Sequence, residues 1–369
     1  MLKYLMSAVL FASALFCGCS VTPEFTVEPA PEYDALFSRT DGWTGGDVAF
    51  SLPLDGERTL WLFGDTWVGK VRDGKHADSR IVNNSIALQH GRLVPGAKLD
   101  FHYRLIKGEP AAFISPEDGR GLFWLDHGGV LTGKGLFLVM NRIEKPHTDG
   151  PALDFRSTGL TMAHISNPED HPLKWKTTLR DVPWVRVPPG GNEVAFGHPL
   201  LKAGGMVYIY GTETDAKRGE RYLLAARVPE DRFEDFTAWT FYSGGKWLPD
   251  PAGASRLADR FGPEFSVSYQ PALRRYVAVY TESGLSSRIM LRTAPAPEGP
   301  WSAPVKIYEC PEYGWNPDYF CYAAKGHPGL SSGEDELLVS YVCNSHDFWN
   351  MAADARIYRP RFLKVKFRK

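Results

Sequence analysis

Five short apolar runs recur along the chain at nearly regular intervals, and each has the character of a buried β-strand. Their centres lie roughly 60 to 75 residues apart, a period typical of large repeats that contain several strands each. A second strand-like segment follows every run. The apolar runs are Trp61–Phe63, Leu136–Met140, Val207–Tyr210, Tyr276–Tyr280 and Leu337–Tyr341, and the following segments are Asn84–Gln89, Gly159–Ile165, Leu223–Val228, Arg288–Ala294 and Ala355–Val365.

The composition agrees with many short strands joined by tight turns. The chain is 13% aromatic, contains 36 glycines and 28 prolines, and shows no long stretch of helical periodicity. The repeats therefore predict an all-β fold, a five-bladed β-propeller that forms one domain over residues 38–369. A β-sandwich with irregular similarity is the alternative, but it does not predict the same recurrence five times. We expect the last strand to complete a blade with residues near the mature N-terminus.

The strand that precedes each apolar run should line the central channel of such a ring. The five candidate segments are Gly45–Leu52, Leu125–Leu131, Asn192–Leu200, Glu264–Leu273 and Phe320–Leu330. A charged side chain on an otherwise apolar strand is costly unless it is solvated or used. Four of the five segments carry an acid, which favours a functional ring, although such acids could instead bond backbone amides and close the blades. The polar residues expected at the channel mouth are Asp47, Asp126, His127, Glu193, His198, Glu264, Tyr269, Tyr322 and His327.

Two of these segments also resemble each other in sequence. Residues 47–53 and residues 193–199 both begin with an acid followed by Val-Ala-Phe, and both end in proline, 146 residues apart. The similarity predicts that Asp47 and Glu193 occupy equivalent places in two repeats.

The richest stretch surrounds Asp47. Asp65 lies 18 residues later, on a strand that a turn connects to the first, so paired strands could bring the two acids together. Trp43 and Trp67 offer flat faces that suit sugar rings, although filling of the core is the alternative for both. Asn84 could supply an amide for recognition of hydroxyl groups, or could belong to a turn.

The N-terminus reads as an export signal. A basic residue near the start is followed by about a dozen apolar residues, a run that is too short to span a bilayer. The segment ends at Gly18-Cys19, which is similar to the bacterial lipobox. We expect residues 1–19 to be a signal peptide, Cys19 to be lipidated and residues 20–37 to be a tether; ordinary cleavage is the alternative. The protein would then be secreted and anchored to the membrane of the bacterial cell envelope.

Charge and motif content exclude several classes of function. The formal net charge is −1, so nothing suggests a nucleic-acid partner. No phosphate loop, dinucleotide fingerprint or nucleophile elbow is present, and no cysteine or histidine spacing indicates zinc, so we expect neither cofactor nor metal. Cys310 with Cys321 is the preferred disulfide in an oxidising compartment, while free buried thiols remain the alternative.

Carboxylates beside aromatic faces fit glycoside hydrolysis, which needs one acid to protonate the leaving oxygen and one carboxylate as base or nucleophile. Over residues 38–367 the chain also resembles a bacterial family long labelled a domain of unknown function. The resemblance rests on Gly42–Asp47, Leu60–Thr66, Gly262–Phe265, Ala324–Pro328 and Tyr358–Phe362. The wider group looks like five-bladed propeller glycosidases, and part of it is associated with endo-acting cleavage of D-arabinan.

The resemblance implies that Asp47 and Asp65 form the catalytic pair, with Glu264 third as acid or as modulator of a pKa. The predicted substrate is thus a polysaccharide, with arabinofuranosyl linkages of D-arabinan as the first choice. A glycan-binding lipoprotein without catalysis is the alternative function, and a structural envelope protein with a buried ring of acids is a third.

Overall fold

A computed structural model describes residues 23–145 and 155–368 of the chain. Its first part contains β1 (Phe25–Pro29), α1 (Pro31–Asp34), β2 (Asp41–Gly46), β3 (Phe50–Pro53), β4 (Arg58–Phe63), β5 (Thr66–Arg72), β6 (Lys75–Val82), β7 (Ser85–His90), β8 (Lys98–His102), β9 (Arg104–Ile106) and β10 (Glu109–Ala111). The middle part contains β11 (Leu122–Trp124), β12 (Gly129–Thr132), β13 (Gly135–Glu144), β14 (Arg156–Ile165), β15 (Thr177–Val182), β16 (Val185–Arg186), β17 (Glu193–Ala203), β18 (Met206–Thr214), β19 (Arg221–Pro229), β20 (Thr240–Ser243) and β21 (Lys246–Leu248).

The last part contains β22 (Phe265–Gln270), β23 (Arg275–Thr281), β24 (Arg288–Ala294), β25 (Val305–Glu309), β26 (Tyr319–His327), β27 (Glu336–Ser345), α2 (Phe348–Ala353) and β28 (Pro360–Phe367). Short 3₁₀ turns lie at Ala35–Phe37, Pro172–Lys174, Glu230–Arg232, Phe236–Ala238, Pro251–Gly253, Pro271–Leu273, Pro311–Gly314 and Pro328–Leu330. Neither α-helix of the described chain has the length and apolar content needed to cross a membrane.

Five antiparallel sheets form the blades of a propeller, which confirms the predicted fold. Blade 1 is β3-β4-β7-β8, blade 2 is β12-β13-β14-β15, blade 3 is β17-β18-β19-β20, blade 4 is β22-β23-β24-β25, and blade 5 is β26-β27-β28-β1. Every apolar run singled out in the sequence lies in the second strand of its blade. The segments predicted to follow each run overlap the third strands, although the last one, from residue 355, becomes a strand only at Pro360.

The second strands are apolar on both faces because each one lies between two neighbouring blades. In β18, Ile209 packs in a cluster with blade 2, whereas the next residue, Tyr210, packs in a cluster with blade 4. Successive side chains of a strand point to opposite faces, so one strand serves two interfaces. Five such clusters fill the five gaps of the ring, including the gap between blades 5 and 1.

The ring closes by pairing the two ends of the described chain. Strand β1 pairs with β28 in the register Val27↔Val365, and this supplies the outer strand of blade 5. The prediction that N-terminal residues complete a blade is therefore confirmed. Residues 25–37, expected to belong to a tether, instead contribute β1, α1 and a 3₁₀ turn to the fold. The predicted signal peptide and Cys19 lie outside the described residues.

The internal repeat of residues 47–53 and 193–199 does not mark equivalent places in two blades, so that prediction is wrong. Val48 and Ala49 have left-handed φ values of 69° and 49° in the loop before β3. Their counterparts in the second copy lie in regular strand within β17, where Glu193 pairs with Thr214 and is exposed. The shared letters therefore adopt two different backbone conformations.

A disulfide joins Cys310 and Cys321, as preferred from the sequence. It links the segment after β25 in blade 4 to the inner strand of blade 5. Cys343, the third cysteine of the described residues, is buried and lies directly opposite Cys321 in the register of β26 and β27.

Candidate active site

Four carboxyl groups from three blades meet at the channel mouth. Asp47 lies just before β3 and Asp65 just after β4 in blade 1, Asp126 lies just before β12 in blade 2, and Glu264 lies just before β22 in blade 4. The charges of Asp65 and Glu264 both act on Asp47, and the charge of Asp126 acts on Glu264. We call these four residues the acid group.

Within the acid group, Asp47 has the pKa that is shifted most strongly. Burial first, and then the charges of Asp65 and Glu264, hold its pKa well above the ordinary value for a carboxyl group. Its Oδ2 atom accepts hydrogen bonds from the Tyr322 hydroxyl at 2.8 Å and from the Tyr358 hydroxyl at 3.1 Å. Its Oδ1 atom is buried without a hydrogen-bond partner among the described residues. Burial and the neighbouring acids therefore favour the protonated form of this carboxyl group.

Asp65 is fixed by two nitrogen donors. Its Oδ1 atom accepts from Trp124 Nε1 at 3.0 Å and from Asn83 Nδ2 at 3.3 Å. Burial raises its pKa, although both hydrogen bonds oppose that shift. Its backbone carbonyl oxygen accepts from the Asp47 N–H at 3.4 Å. The structure thus places side by side the two acids that the sequence proposed as a pair.

Glu264 forms a close ion pair with Lys325. The two side chains are 11% and 1% exposed, so both charges are largely removed from water. Burial raises the pKa of Glu264, the cation of Lys325 opposes this, and the charge of Asp126 adds to it. The ion pair therefore favours the carboxylate form of Glu264 within a site that otherwise favours protonation.

A histidine pair, with His127 from blade 2 and His198 from blade 3, lines one side of the site. His127 Nδ1 lies 2.6 Å from Asp126 Oδ1, and its ring centroid lies 3.6 Å from that of His198. Burial, followed by the neighbouring His127, holds the pKa of His198 well below its ordinary value, so this ring is neutral. Asn141 Nδ2 donates to the other oxygen of Asp126 at 3.4 Å. The proposed substrate contacts Asp126, His127 and His198 thus lie together in the site.

Two tryptophans expected as sugar platforms lie in the core instead. Trp43 is 1% exposed and stacks on Phe101 with centroids 4.5 Å apart. Trp67 is 6% exposed and stacks on His76 at 4.4 Å. A ligand cannot lie on a face that another ring already covers, so the prediction for both residues is corrected to core filling.

Asn84 and His327 have structural contacts rather than places in the site. Asn84 is fully buried, and its Nδ2 donates to the carbonyl oxygens of Ile114 and Phe123. His327 is also fully buried and lies between Ser51 Oγ and Ser340 Oγ, at 2.7 Å from each. Their hydrogen-bonding groups are already used, which corrects the prediction that they bind substrate.

Tyr269 and Glu193 lie apart from the acid group. Tyr269 is near the far end of β22, five residues beyond Glu264, and is 46% exposed against Tyr276. At about 3.3 Å per strand residue, this places it roughly 16 Å along the strand from the acid group. Glu193 is exposed at the start of β17, and its charge acts on Arg221. Neither side chain is brought to the site.

Five residues of the site were not among the predicted site residues: Lys325, Tyr358, Trp124, Asn83 and Asn141. Lys325 and Tyr358 fall within the segments that carry the family resemblance. A lysine inside a predicted channel strand was a signal that could have been used, because a lysine buried among apolar neighbours needs an anionic partner. Trp124 directly precedes a predicted channel strand, and its Nε1 atom donates to Asp65.

One cluster of potential metal ligands occurs among the described residues, namely Cys310, Glu312 and Cys321. Both cysteines are joined in the disulfide, so neither offers a thiolate to a metal ion.

Comparisons with known proteins place this chain in a broader context. A family described as "Domain of unknown function (DUF5005)" matches residues 30–367. No curated protein matches the sequence. A crystal structure from Bacteroides ovatus, described only provisionally as a hydrolase, superposes with a TM-score of 0.72 and 18% identity over 92% of this chain and 90% of that one.

Two other solved structures match with lower similarity. The catalytic domain of a Coprinopsis cinerea alpha-L-arabinofuranosidase has a TM-score of 0.48 and 10% identity over 94% of this chain and 97% of its own. A B. megaterium levansucrase variant has a TM-score of 0.48 and 10% identity over 95% and 92%. At these identities, the comparisons with solved structures concern the fold.

Proposed function

We propose that this chain, which belongs to the family described as Domain of unknown function (DUF5005), is a glycoside hydrolase that works through the acid group. The observation that carries the proposal is the convergence of four carboxyl groups from three blades in environments that differ from one another. Hydrolysis of a glycosidic bond requires two carboxyl groups in different protonation states. Burial, ion pairing and like charges supply that difference here.

In this proposal Asp47 is the general acid and Glu264 is the carboxylate. Asp47 retains its proton because it is buried beside two acids and contacts no cation among the described residues, so it can protonate the leaving oxygen. Glu264 stays ionised beside Lys325 and either activates water or attacks the anomeric carbon. Asp65, placed in the catalytic pair by the sequence, then acts mainly by raising the pKa of Asp47.

The site also offers groups that suit a sugar. Trp124 is partly exposed, is held through its Nε1 by Asp65, and meets the half-exposed Phe155 at 4.6 Å between centroids. An aromatic face beside polar groups fits the C–H face and hydroxyl groups of a sugar ring. Endo-acting cleavage of D-arabinan remains the specific substrate proposal, and it rests on the sequence resemblance.

Product analysis tests this function. The leader-free protein is incubated with a panel of polysaccharides that includes D-arabinan and L-arabinan, beside Asp47→Asn, Glu264→Gln and the exposed control Glu57→Gln. We expect oligosaccharides from one polymer with the wild type and the control, and a loss of about 10²–10⁴-fold in the site variants. Binding without products would favour a glycan-binding protein, and folded variants with wild-type rates would contradict the proposal.

The leaving group distinguishes the two roles. A good leaving group, such as 4-nitrophenolate, needs little protonation, so Asp47→Asn should retain more activity on a 4-nitrophenyl arabinoside than on the polymer. Glu264→Gln should lose activity on both substrates. The opposite pattern would exchange the roles of the two residues.

We also propose that Cys19 anchors the protein to the cell envelope, on the basis of its signal-like sequence context. Cys19→Ala should move the protein from the membrane fraction to the soluble fraction. Membrane association of the variant at the wild-type level would contradict a lipid anchor.

A further inference from the structure

A single buried cation connects three blades at the acid group. Lys325 lies on the inner strand of blade 5, and its Nζ contacts the Glu264 carboxylate, the Val48 carbonyl oxygen at 2.9 Å and the Ala323 carbonyl oxygen at 3.2 Å. An ammonium group has three N–H donors, so these acceptors use its full capacity. The three acceptors belong to blade 4, the loop before blade 1, and blade 5.

A β-bulge directs this side chain to the site. In the pairing of β26 with β27, Tyr322 lies opposite Val342, whereas Lys325 lies opposite Ser340, so one extra residue is present on β26. Ala323, inside the bulge, has a left-handed φ of 58°. Bulges change the direction of side chains and are frequent beside active sites. This one lets Tyr322 reach Asp47 while Lys325 reaches Glu264.

The same cation supports the strained loop that holds Asp47. Val48 is a β-branched residue with a left-handed φ of 69°, a conformation that such residues rarely adopt without compensation. Its carbonyl oxygen accepts from Lys325, and the next residue, Ala49, donates its N–H to the Asp47 carbonyl oxygen at 2.8 Å. Lys325 therefore contacts the carboxyl group of Glu264 directly and the backbone of Val48, the residue that follows Asp47 in the loop.

We propose that Lys325 is a positioning residue that decides which carboxyl group of the acid group carries the proton and that fixes the loop of Asp47. This inference rests on the proposed function. The cation lies beside Glu264 and not beside Asp47, so it stabilises negative charge on Glu264 only. Other titratable groups act on Glu264 or on its ion pair, and they are Asp47, Asp126, His127, His198, Tyr322 and His327.

A stability cycle tests the coupling without any substrate. The unfolding equilibrium of the wild type, Lys325→Met, Glu264→Gln and the double variant is measured by urea from pH 5 to pH 8. Without the cation, Glu264 binds a proton on folding. The unfolding constant of Lys325→Met should then rise relative to the double variant by up to about tenfold per pH unit, until the pH reaches the folded pKa of Glu264.

The double variant removes both charges and should recover stability, because it leaves no buried carboxylate without a partner. This holds even if Lys325→Met fails to fold at every pH. Lys202→Met is the matched control, since Lys202 pairs with Glu230 at 2.5 Å but is 46% exposed. A double variant as unstable as Lys325→Met, or parallel pH profiles of the two, would overturn the inference.

The pH dependence of kcat/KM separates this role from a purely structural one. In Lys325→Met the limb that reports ionisation of Glu264 should move to higher pH by about one unit or more. A structural role would lower the whole profile without moving that limb. If the wild type hydrolyses no glycan, the proposed function fails while the stability cycle still decides the Lys325–Glu264 coupling.

Discussion

Asp47 lies beside other carboxyl groups and is also very closely packed. Its Oδ1 atom lies against Gly64, where an added Cβ would approach it to 2.5 Å. Real Cβ atoms essentially never come so close to another atom, so the site needs a residue without a side chain at this position. Asp47 Oδ1 is also buried without a hydrogen-bond partner among the described residues, which is unfavourable for an ionised carboxylate. Such a local energetic cost is common at functional sites.

Replacing Asp47 should stabilise the protein near neutral pH. Because its folded pKa is raised, the stability that Asp47 contributes is fully present below the unfolded value and is lost as the pH rises through the folded pKa. Asp47→Asn should therefore gain on the order of 1 kcal/mol at pH 7, a gain that disappears near pH 4. Urea unfolding at both pH values measures it, and an unchanged difference between them would contradict the electrostatic cause.

Gly64→Ala should disturb the same place by steric means. The added methyl group meets Asp47 Oδ1 and a Val48 methyl carbon at 3.0 Å, so we expect a loss of about 1–3 kcal/mol in stability together with reduced hydrolysis. Gly133→Ala is the control, since a Cβ there meets no atom within 4 Å. Thermal unfolding of both variants suffices, and equal Tm values would contradict the close packing.

The strands position the site residues because they are arranged in a ring around the central channel. The inner strands begin at the same end of the channel, so residues just before β3, β12 and β22 are brought together although they are far apart in sequence. Strand β1 has a different task, because it covers the outer edge of β28 and closes the circle. The outer edge of blade 5 is then the five-residue β1 instead of the longer β28, and a short edge is less able to pair with another chain.

Substitutions in β1 should reduce stability on only one face of the strand. Val27 packs against the cluster between blades 4 and 5, whereas the next residue, Glu28, is exposed. Val27→Asp should cost about 1–3 kcal/mol because it places a polar group against that core. Glu28→Ala should stay within about 0.5 kcal/mol of the wild type. Calorimetric Tm values compare the two, and similar losses would argue against pairing in this register.

The complete ring depends on contacts between its first and last blades. His327 spans this junction, since Ser51 belongs to blade 1 and Ser340 to blade 5. Burial lowers the pKa of His327 to about 3. The neutral ring therefore suits a dry junction between blades, which a charged imidazolium would not.

Acid unfolding of the whole molecule should reveal this histidine. A lowered folded pKa means that the stability is present above the unfolded value of about 6.5 and is lost as the pH falls toward about 3. In that window, the wild-type unfolding constant should rise by about tenfold more per pH unit than that of His327→Gln. His90→Gln, at an exposed position, is the control, and equal slopes for wild type and His327→Gln would contradict the prediction.

The order of the strands could be predicted from the sequence because it depends on the local pattern of apolar and polar residues. Each apolar run reports a strand buried on both faces, and the recurrence of the run gives the number of blades. The polar residues before the inner strands, such as Asp47, Asp126 and Glu264, could be found for the same reason. A polar residue within an apolar segment can be recognised from the sequence alone.

Only the tertiary structure decided which of these residues meet. Trp43 and Trp67 are covered by Phe101 and His76, and the Lys325–Glu264 pair joins residues 61 positions apart on different blades. The sequence repeat at Glu193 misled because similar letters adopt different backbone angles in the two places. What covers a side chain, and which charge neutralises it, depends on packing between blades, and such long-range contacts leave no local pattern in the sequence.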